Sequence, residues 1–259
     1  MPASRRPVPS AATPPASPDG LAARYDAAIL DPATRDLYDG TGLYNVGDWA
    51  DGPRGLGEAS RRLVRMHLDV DTAEEAQAVS VVLDIGCGLG AGAAMMAEHY
   101  PRATVVGINF SPLQAAWGAE AAPRARFAVM DATRLAVGDG VADRIHSIEA
   151  AFHFDSRDAF LAQACRALRP GGRLVMTDIT FRRGYGDGIP EANIWQGEAE
   201  YVRRCEAAGL VLDRIEDITG RTLIPFYEHL RRHGQAAEAA IQRRVQAAYY
   251  FVVLHRPYS

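Results

Sequence analysis

The feature that most constrains the fold is a glycine-rich turn between an aliphatic run and a helical run, at residues 81–97. Val81-Val82-Leu83 is typical of a buried parallel strand, and Asp84 follows it. Three glycines then alternate with small residues, so the backbone can turn tightly and a ligand can approach its peptide N–H groups. This order predicts a nucleotide-binding crossover. Asp84, an acceptor at neutral pH, suits a ligand with an ammonium or hydroxyl donor.

Two interpretations of this turn compete. Gly86-x-Gly88-x-x-Ala91 satisfies the dinucleotide-binding pattern, and the same stretch also reads D-x-G-x-G-x-G from Asp84. A dinucleotide site needs an acid at the end of the second strand, about 20 residues beyond the glycines, to bind the ribose. The predicted second strand ends instead at Asn109, and the acid precedes the glycines. The sequence therefore favours the second pattern.

Composition narrows the class of protein. A chain of 259 residues, 48% of them apolar, suits one α/β domain with a full core. The net charge of −4 does not indicate a nucleic acid or an anionic membrane as partner, and no run of about 18 apolar residues predicts a membrane span. All 28 basic residues are arginine, which excludes lysine Schiff-base chemistry. The expected partner is a small-molecule substrate, and no feature specifies an oligomeric state.

The three cysteines indicate a reducing compartment. Cys87, Cys165 and Cys205 are odd in number, far apart and without a C-x-x-C pair. This pattern argues against a disulfide framework and against a zinc site. We therefore predict a cytoplasmic protein, and we expect no metal because the sequence has no cluster of metal-ligating residues.

The domain organisation follows from where the periodic segments begin. Residues 1–20 are rich in Pro, Ala and Ser and are predicted to form a disordered tail before a single domain over residues 21–259. Within the domain, residues 21–78 are predicted to form N-terminal helices and a flap. Residues 79–259 form the predicted core, with a Gly-rich lid at about residues 181–197.

Seven strand-like segments alternate with helical segments. They cover residues 79–84, 103–110, 125–132, 141–149, 173–180, 210–218 and 249–255. This alternation predicts a doubly wound, mostly parallel sheet of the Rossmann-like α/β class. After the second strand, Ser111 at the N-cap, Pro112 at N1 and Gln114 at N3 predict a helix start with a capping box. That helix start lies at the carboxyl edge of the sheet, where ligands bind.

Several segments together resemble the class I methyltransferases that use S-adenosylmethionine. They are residues 82–90, 107–114, 131–132, 149–154 and 168–174. The G-I-N-x-S-x-x-Q form of the second segment is similar to a small-molecule subgroup of that family. The subgroup includes macrolide and deoxysugar O-methyltransferases, sterol and prenyl C-methyltransferases, and cyclopropane synthases. The resemblance implies S-adenosylmethionine as cofactor and a seventh strand that runs opposite to the others.

The resemblance also implies a set of cofactor-binding residues. Asp84 would hold the amino group of the cofactor, with Gly86 and Gly88 close to its methionine part. Asn109 stands where many relatives carry an acid for the ribose; an amide keeps the hydrogen bonds but loses the assistance of charge. The full set is Asp84, Gly86, Cys87, Gly88, Asn109, Phe110, Gln114, Asp131, Ala132, Tyr44 and Asn45.

Three of these assignments have a structural alternative. Asp131, assigned to the adenine amino group, is also a common turn former at the end of a strand. Gln114 has a sufficient structural role in the predicted capping box. Tyr44-Asn45 resembles the Tyr-Ser of the cyclopropane synthases. It lies in an aromatic-polar loop at residues 43–49 that either packs on the core or covers the site.

His153 is the predicted catalytic base. It follows the fourth strand between Phe152 and Phe154, and apolar neighbours favour the neutral imidazole, which can accept a proton. The alternative is a histidine that only packs in the lid interface. Sugar O-methyltransferases of the subgroup place a base at this point and an Asp at the end of the fifth strand, which His153 and Asp178 match. The resemblance therefore implies that Asp178 orients the base or the acceptor hydroxyl.

The predicted function is methyl transfer from S-adenosylmethionine to a hydroxyl of a small natural product, an enzyme activity of secondary metabolism. Two alternatives stay open. One is C-methylation of a prenyl or lipid-like acceptor, and the other is a cyclase that binds S-adenosylmethionine without methyl transfer. Aromatic residues of the predicted flap and lid are compatible with C-methylation, because aromatic rings stabilise a carbocation. They are Tyr44, Trp49, Tyr185 and Trp195.

Overall fold

A sheet of seven strands forms the centre of the structure, a computed structural model that describes residues 18–183 and 189–258. The strands are β1 (Val81–Ile85), β2 (Thr104–Asn109), β3 (Arg126–Val129), β4 (Ala142–Ile148), β5 (Leu168–Phe181), β6 (Val211–Asp217) and β7 (Gln246–His255). Their spatial order is β3-β2-β1-β4-β5-β7-β6. β7 runs antiparallel between β5 and β6, and the other neighbouring pairs are parallel. The predicted doubly wound sheet and its reversed last strand are confirmed.

Helices cover both faces of the sheet. They are α1 (Pro18–Leu30), α2 (Pro32–Leu37), α3 (Leu56–Leu68), α4 (Ala73–Ala78), α5 (Ala91–His99), α6 (Pro112–Ala121), α7 (Arg157–Ala167), α8 (Gly197–Ala207), α9 (Leu223–Arg232) and α10 (Ala236–Val245). α7 and α8 bury Phe160 and Tyr201 on one face, and α3 and α5 bury Leu68 and Met96 on the other. Covered faces explain the continuous apolar runs of the central strands. No helix in the described ranges is long and apolar enough to cross a bilayer.

The strand order reverses between β1 and β4, and this reversal positions the site. A parallel sheet opens a crevice at such a point, beyond the carboxyl ends of its strands. Asp84 lies near the end of β1, Asn109 ends β2 and Ile148 ends β4. The fold therefore brings the glycine turn, the start of α6 and the segment after β4 to one edge of the sheet.

Several predicted boundaries differ from the structure, among them the starts of α1 and β5. α1 begins at Pro18, inside the predicted tail, and residues 1–17 of that tail lie outside the described residues. β5 begins at Leu168, earlier than the predicted strand, because Leu168 already pairs with Ala142 of β4 across an irregularity in the register.

The predicted lid is described only in part, since residues 184–188, which include Tyr185, lie outside the described residues. The chain after them forms a short 3-10 turn, Glu191–Asn193, and then enters α8. Trp195 in this segment is 1% exposed and belongs to the core. This part of the predicted lid is therefore packed against the body of the protein.

Candidate active site

A cavity of about 690 Å³ lies at the carboxyl edge of the sheet, within the size range of small-molecule sites. Its wall comes mainly from the segment from α1 to the loop before α3, the turns after β1 and β2, the loop after β4, and the helices α9 and α10, and β5 adds Ile179 and Phe181. Most of the predicted site residues lie on its wall. They are Tyr44, Asn45, Asp84, Gly86, Cys87, Gly88, Asn109, Phe110, Gln114 and His153.

The glycine turn depends on left-handed backbone conformations. Gly86 and Gly90 have φ values of +80° and +83°, which residues with a Cβ rarely adopt. A Cβ on Gly86 would overlap the side chain of Ala150, whereas the space beside Gly88 is open. The N–H of Gly86 donates to the carbonyl of Ile108 at 2.8 Å and ties the turn to β2. The turn therefore leaves room for a ligand at Gly88, on the cavity side.

Asp84 is a buried carboxylate on the cavity wall without a partner in the described part of the chain. It is 2% exposed, and no hydrogen bond or ion pair of a described residue reaches it. Burial alone raises its pKa, to about 7. A buried carboxylate is stable as an anion only beside a cation or strong donors. The ammonium group of S-adenosylmethionine supplies both, so this position fits the cofactor.

A buried hydrogen-bond network joins the start of α6 to α1. Nδ2 of Asn109 donates to Oε1 of Gln114 at 2.9 Å, and Nε2 of Gln114 donates to Oδ1 of Asp26 at 2.8 Å. Ser111 accepts from the N–H of Gln114 at 3.1 Å, so the predicted N-cap is confirmed. The predicted return hydrogen bond from the Gln114 side chain to the N-cap backbone is wrong, because this side chain bonds to Asn109 and Asp26 instead. No motif surrounds Asp26 in the sequence, and it was not predicted.

Asp131 and Ala132 follow β3 and are not among the described residues that line the cavity. Asp131 is exposed, and its Oδ1 accepts from the N–H and the hydroxyl of Thr133 at 2.8 and 2.7 Å. It therefore forms the strand-end turn that is the alternative to adenine binding. The N–H of Met130 donates to the carbonyl of Asn109 at 3.0 Å, which keeps this turn beside the cofactor wall. The adenine contact stays a prediction.

The loop at residues 43–49 both packs on the core and lines the cavity. Oη of Tyr44 donates to the carbonyl of Ile29 on α1 at 3.0 Å. Asn45 is buried, and its Oδ1 accepts from the N–H of Gly47 at 3.0 Å. Both side chains of the pair lie on the cavity wall. The two interpretations of this loop are therefore compatible, since its packing is what holds it over the site.

His153 lies in a short 3-10 turn, Ala151–His153, directly after β4. Its Nε2 contacts the hydroxyl of Tyr25 from α1, and its ring packs against Tyr25 and Phe152 with centroid separations of 4.9 and 4.2 Å. The predicted second aromatic neighbour, Phe154, packs its ring on α7. Burial raises the pKa of Tyr25, so its hydroxyl keeps its proton, and in the tautomer of His153 that is protonated at Nδ1 this hydroxyl donates to Nε2. An acceptor nitrogen therefore lies at the cavity.

Asp178 is not among the described residues that line the cavity, and its role in orienting the base or the acceptor stays a prediction. It is fully buried, and its Oδ2 lies 2.7 Å from Nε of Arg157 and accepts from the hydroxyl of Tyr201 at 2.8 Å. Burial raises the pKa of Asp178, and the Arg157 guanidinium acts in the opposite direction. The carboxylate is therefore held inside the core by an arginine and a tyrosine.

Glu149 is the acid that does line the cavity on this side. It directly follows β4 with a φ of +51°, an uncommon conformation for a side chain of this size. Its Oε1 accepts from the N–H of Val46 at 2.8 Å and from the hydroxyl of Tyr249 at 2.6 Å. Burial nevertheless raises its pKa to about 7. Its signal in the sequence is an acid at a strand end, the same signal that identifies Asp84.

The remainder of the cavity has an apolar wall and a group of polar side chains. The apolar side chains are Leu37, Phe152, Ile179, Phe181, Phe226 and Leu230. The polar ones from α10 and its flanks are Gln235, Glu238, Gln242 and Gln246. Within the described ranges, Arg24 is the single arginine on the wall, and neither Trp49 nor Trp195 reaches it. The prediction that these two tryptophans belong to an aromatic lid over the site is therefore wrong.

Comparisons with known proteins agree with this geometry. Residues 83–176 match the model of the methyltransferase domain family. The chain is 31% identical over 200 residues to methyltransferase GfsG of Streptomyces halstedii, which covers 68% of this chain and 69% of that protein. It is 27% identical over 229 residues to erythromycin 3''-O-methyltransferase of Saccharopolyspora erythraea, covering 80% and 73% of the two chains. The solved structure of the cyclase SpnF has a TM-score of 0.74 at 23% identity, covering 95% of this chain and 97% of that one.

Fold, site and comparisons point to the same conclusion. The sheet with its reversed last strand, the glycine turn and Asp84, which has no partner among the described residues, form a site that fits S-adenosylmethionine. The family model covers the segment that holds these cofactor-side residues. The chain belongs to the class I methyltransferases, whose cofactor is S-adenosylmethionine.

Proposed function

We propose that the protein transfers the methyl group of S-adenosylmethionine to a hydroxyl of an uncharged natural product, with His153 as proton acceptor. The observation that carries the proposal is a hydroxyl, that of Tyr25, at Nε2 of His153 in the cavity that Asp84 also lines. In a base-assisted methyl transfer the hydroxyl of the substrate must lie within hydrogen-bond distance of the base, and the Tyr25 hydroxyl occupies such a position. Similarity to an erythromycin O-methyltransferase supports this class of acceptor.

The chain binds and aligns the reactants. S-adenosylmethionine supplies a methyl group that is already activated on a sulfonium. Asp84 neutralises its ammonium group, and the open space beside Gly88 admits its methionine part. Asn109 offers its amide to the ribose and Phe110 its ring to the adenine. Position and exclusion of water are therefore the main contributions of the protein to the rate.

His153 takes the proton that the acceptor hydroxyl loses during the attack. In the acceptor-free protein Tyr25 donates to Nε2, and the acceptor hydroxyl replaces it there. Above its pKa of about 7, Glu149 on the same wall carries a negative charge that stabilises the resulting imidazolium. General-base assistance of this kind contributes on the order of 10²- to 10⁴-fold.

An uncharged acceptor is favoured over a prenyl diphosphate. A diphosphate needs several cationic side chains or a bound metal ion. Arg24 is the single arginine on the described wall, and no group of three His, Cys, Asp or Glu side chains in the described chain is placed to hold a metal ion. The amides of Gln235 and Gln242 instead suit the hydroxyl and carbonyl groups of a neutral molecule.

A cyclase without methyl transfer is the candidate from a different class. Its support is the likeness to SpnF, which at 23% identity concerns the fold alone. His153 beside the cofactor wall favours transfer, because a proton acceptor has a defined use in O-methylation. We also infer a cytoplasmic location, which the free thiols of Cys87, Cys165 and Cys205 support.

The test is a transfer assay with S-adenosylmethionine that carries an isotope-labelled methyl group. The acceptor panel holds desmethyl macrolide glycosides, other hydroxylated polyketides, and prenyl diphosphates with Mg²⁺. We expect label in a hydroxylated, uncharged acceptor, at an oxygen that fragmentation in the mass spectrometer identifies. His153→Ala is the paired variant, with its affinity for S-adenosylhomocysteine measured as control.

Each other outcome contradicts a stated part of the proposal. Label on carbon of a prenyl diphosphate overturns the acceptor class. Binding of S-adenosylhomocysteine without transfer to any member of the panel favours the cyclase. Full turnover by His153→Ala would contradict the role of His153 as the base but not the methyltransferase activity.

A further inference from the structure

One buried amide holds the loop that presents His153. Nδ2 of Asn193 donates to the carbonyl of Phe152 at 3.0 Å and to the carbonyl of Phe154 at 2.6 Å, the residues on the two sides of His153. Asn193 is fully buried and comes from the 3-10 turn before α8, far along the chain. The backbone on both sides of the imidazole is therefore fixed by a tertiary contact.

Arg157 fixes the Asn193 side chain in turn. The N–H of Arg157 donates to Oδ1 of Asn193 at 2.7 Å, and its Nη1 donates to the carbonyl of Asn193 at 2.5 Å. With Oδ1 and Nδ2 both in use, the amide cannot rotate without leaving a buried polar group unpaired. Arg157 itself is 1% exposed, and its guanidinium carbon lies 4.7 Å from the ring centre of Trp195.

Asp178 is the far end of this series of contacts. Its carboxylate pairs with Nε of Arg157 at 2.7 Å and accepts from Tyr201. Buried ion pairs often add little net stability compared with apolar residues of the same volume. Stability alone therefore does not explain the Arg157–Asp178 pair, whereas a role in positioning a functional group does. The acid of the fifth strand thus reaches His153 through Arg157 and Asn193.

We propose that Asn193 is a positioning residue for His153, and that Arg157 and Asp178 act on the base through it. This inference rests on the proposed function in that it takes His153 as the base. The Asn193 amide sets the direction of the two flanking carbonyls and hence the angle at which the imidazole enters the cavity. A misplacement of about 1 Å at a reacting group costs on the order of 10²-fold in rate.

Two variants of Asn193 and one control separate positioning from stability. Asn193→Asp keeps the size and the acceptor for the N–H of Arg157, but it turns a carboxylate oxygen towards the two carbonyls. Asn193→Ala removes the side-chain contacts altogether, and Asn193→Asp remains available if this variant does not fold. Leu254→Ala is the control, because Leu254 is fully buried in β7 opposite Leu174 and its loss lowers stability without removing any hydrogen bond of Asn193.

The first readout needs no acceptor. In protein labelled with nitrogen-15 at histidine, the side-chain signals of His153 are assigned by their loss in His153→Ala. We expect the His153 signals to shift or broaden in both Asn193 variants, with the signals of the distant His255 unchanged. In Leu254→Ala the His153 signals should stay where they are. Unchanged His153 signals in both Asn193 variants would overturn the proposal.

The second readout is turnover with the acceptor that the transfer assay identifies. We expect kcat to fall about 10- to 100-fold in Asn193→Asp, with the affinity for S-adenosylhomocysteine changed by less than about twofold. Added to His153→Ala, the same substitution should cause no further loss. Independent, multiplicative losses would show that Asn193 does not act through His153. Full activity of His153→Ala would contradict the proposed base, and the histidine signals would still decide whether Asn193 places this side chain.

Discussion

The two sides of the cavity are built in different ways. The cofactor side comes from a strand end and the turn directly after it, from Asp84 to Gly88, with support from Asn109 on the neighbouring strand. The acceptor side combines α1, the loop after β4, and the helices α9 and α10, which are distant in sequence. His153 contacts Tyr25 there, although the two residues are 128 positions apart in the sequence.

The difference has a physical consequence. A turn whose shape depends on glycine φ angles is set by local backbone preference, so few distant contacts are needed to hold it. The loop of His153 depends on Asn193, Arg157 and Asp178, which are buried polar groups that must all be satisfied. We therefore expect substitutions on the cofactor side to change binding and those behind the acceptor side to change folding and catalysis.

The largest effect is expected behind the acceptor side. Arg157→Ala leaves Asp178 buried without its cation, which destabilises proteins by about 3–5 kcal/mol. Urea unfolding measures the loss of free energy of unfolding. Arg54→Ala is the matched control, since Arg54 pairs with Glu58 at the surface and its removal should leave the unfolding curve unchanged. Equal urea unfolding curves for Arg157→Ala and the wild type would contradict the claim that the acceptor side depends on buried polar contacts.

On the cofactor side, Asp84→Ala should weaken binding of S-adenosylhomocysteine by about 100-fold, because a buried ammonium loses its counter-charge. Calorimetric titration measures the affinity. The same variant without ligand should unfold at the wild-type temperature or above it, since an uncompensated buried carboxylate is removed. A large drop in stability with unchanged affinity would reverse the assignment of Asp84.

A smaller effect is expected from pH. Burial raises the pKa of Asp84 to about 7, so below that value the ligand-free carboxyl is protonated and must lose its proton to bind an ammonium group. Affinity for S-adenosylhomocysteine should therefore rise from about pH 5 to about pH 7, by at most about tenfold per unit. The stability of the ligand-free protein should fall over the same range, because the folded state holds the proton more tightly than the unfolded state. Asp84→Asn should flatten both dependences.

The smallest expected effect concerns Asp131. If its free carboxylate oxygen accepts from the adenine amino group, Asp131→Ala costs about 1 kcal/mol, or about fivefold in affinity for S-adenosylhomocysteine. Thr133→Ala removes one contact of the turn without touching the ligand and serves as control. Equal affinities for Asp131→Ala and the wild type would assign Asp131 to the turn alone.

The cofactor side could be predicted from the sequence because its signals are local. The motif consists of an acid at a strand end followed by glycines at fixed spacing. It specifies where Asp84 and Gly88 lie without knowledge of the rest of the fold. The alternation of strands and helices followed from periodicity, and the reversed direction of β7 followed from the family resemblance.

The acceptor side could be predicted only at His153, which directly follows a strand. Its partner Tyr25 and the amide of Asn193 come from distant segments, and no spacing rule connects residues so far apart. The burial of Asp178 could not be predicted, because a position near a strand end indicates the edge of the sheet but not the direction of the side chain. Arg157, the cation that draws Asp178 into the core, lies on α7 and has no motif.

The most direct measurement compares methyl transfer and cofactor binding in the same preparations of wild-type protein and His153→Ala. With the acceptor found by the labelled-methyl assay, we predict that His153→Ala loses about 100-fold or more in kcat. Its affinity for S-adenosylhomocysteine, measured by calorimetry, should stay within about twofold of the wild type. Transfer at the wild-type rate by His153→Ala, or loss of cofactor binding together with transfer, would contradict the division of the cavity into a cofactor side and a catalytic side.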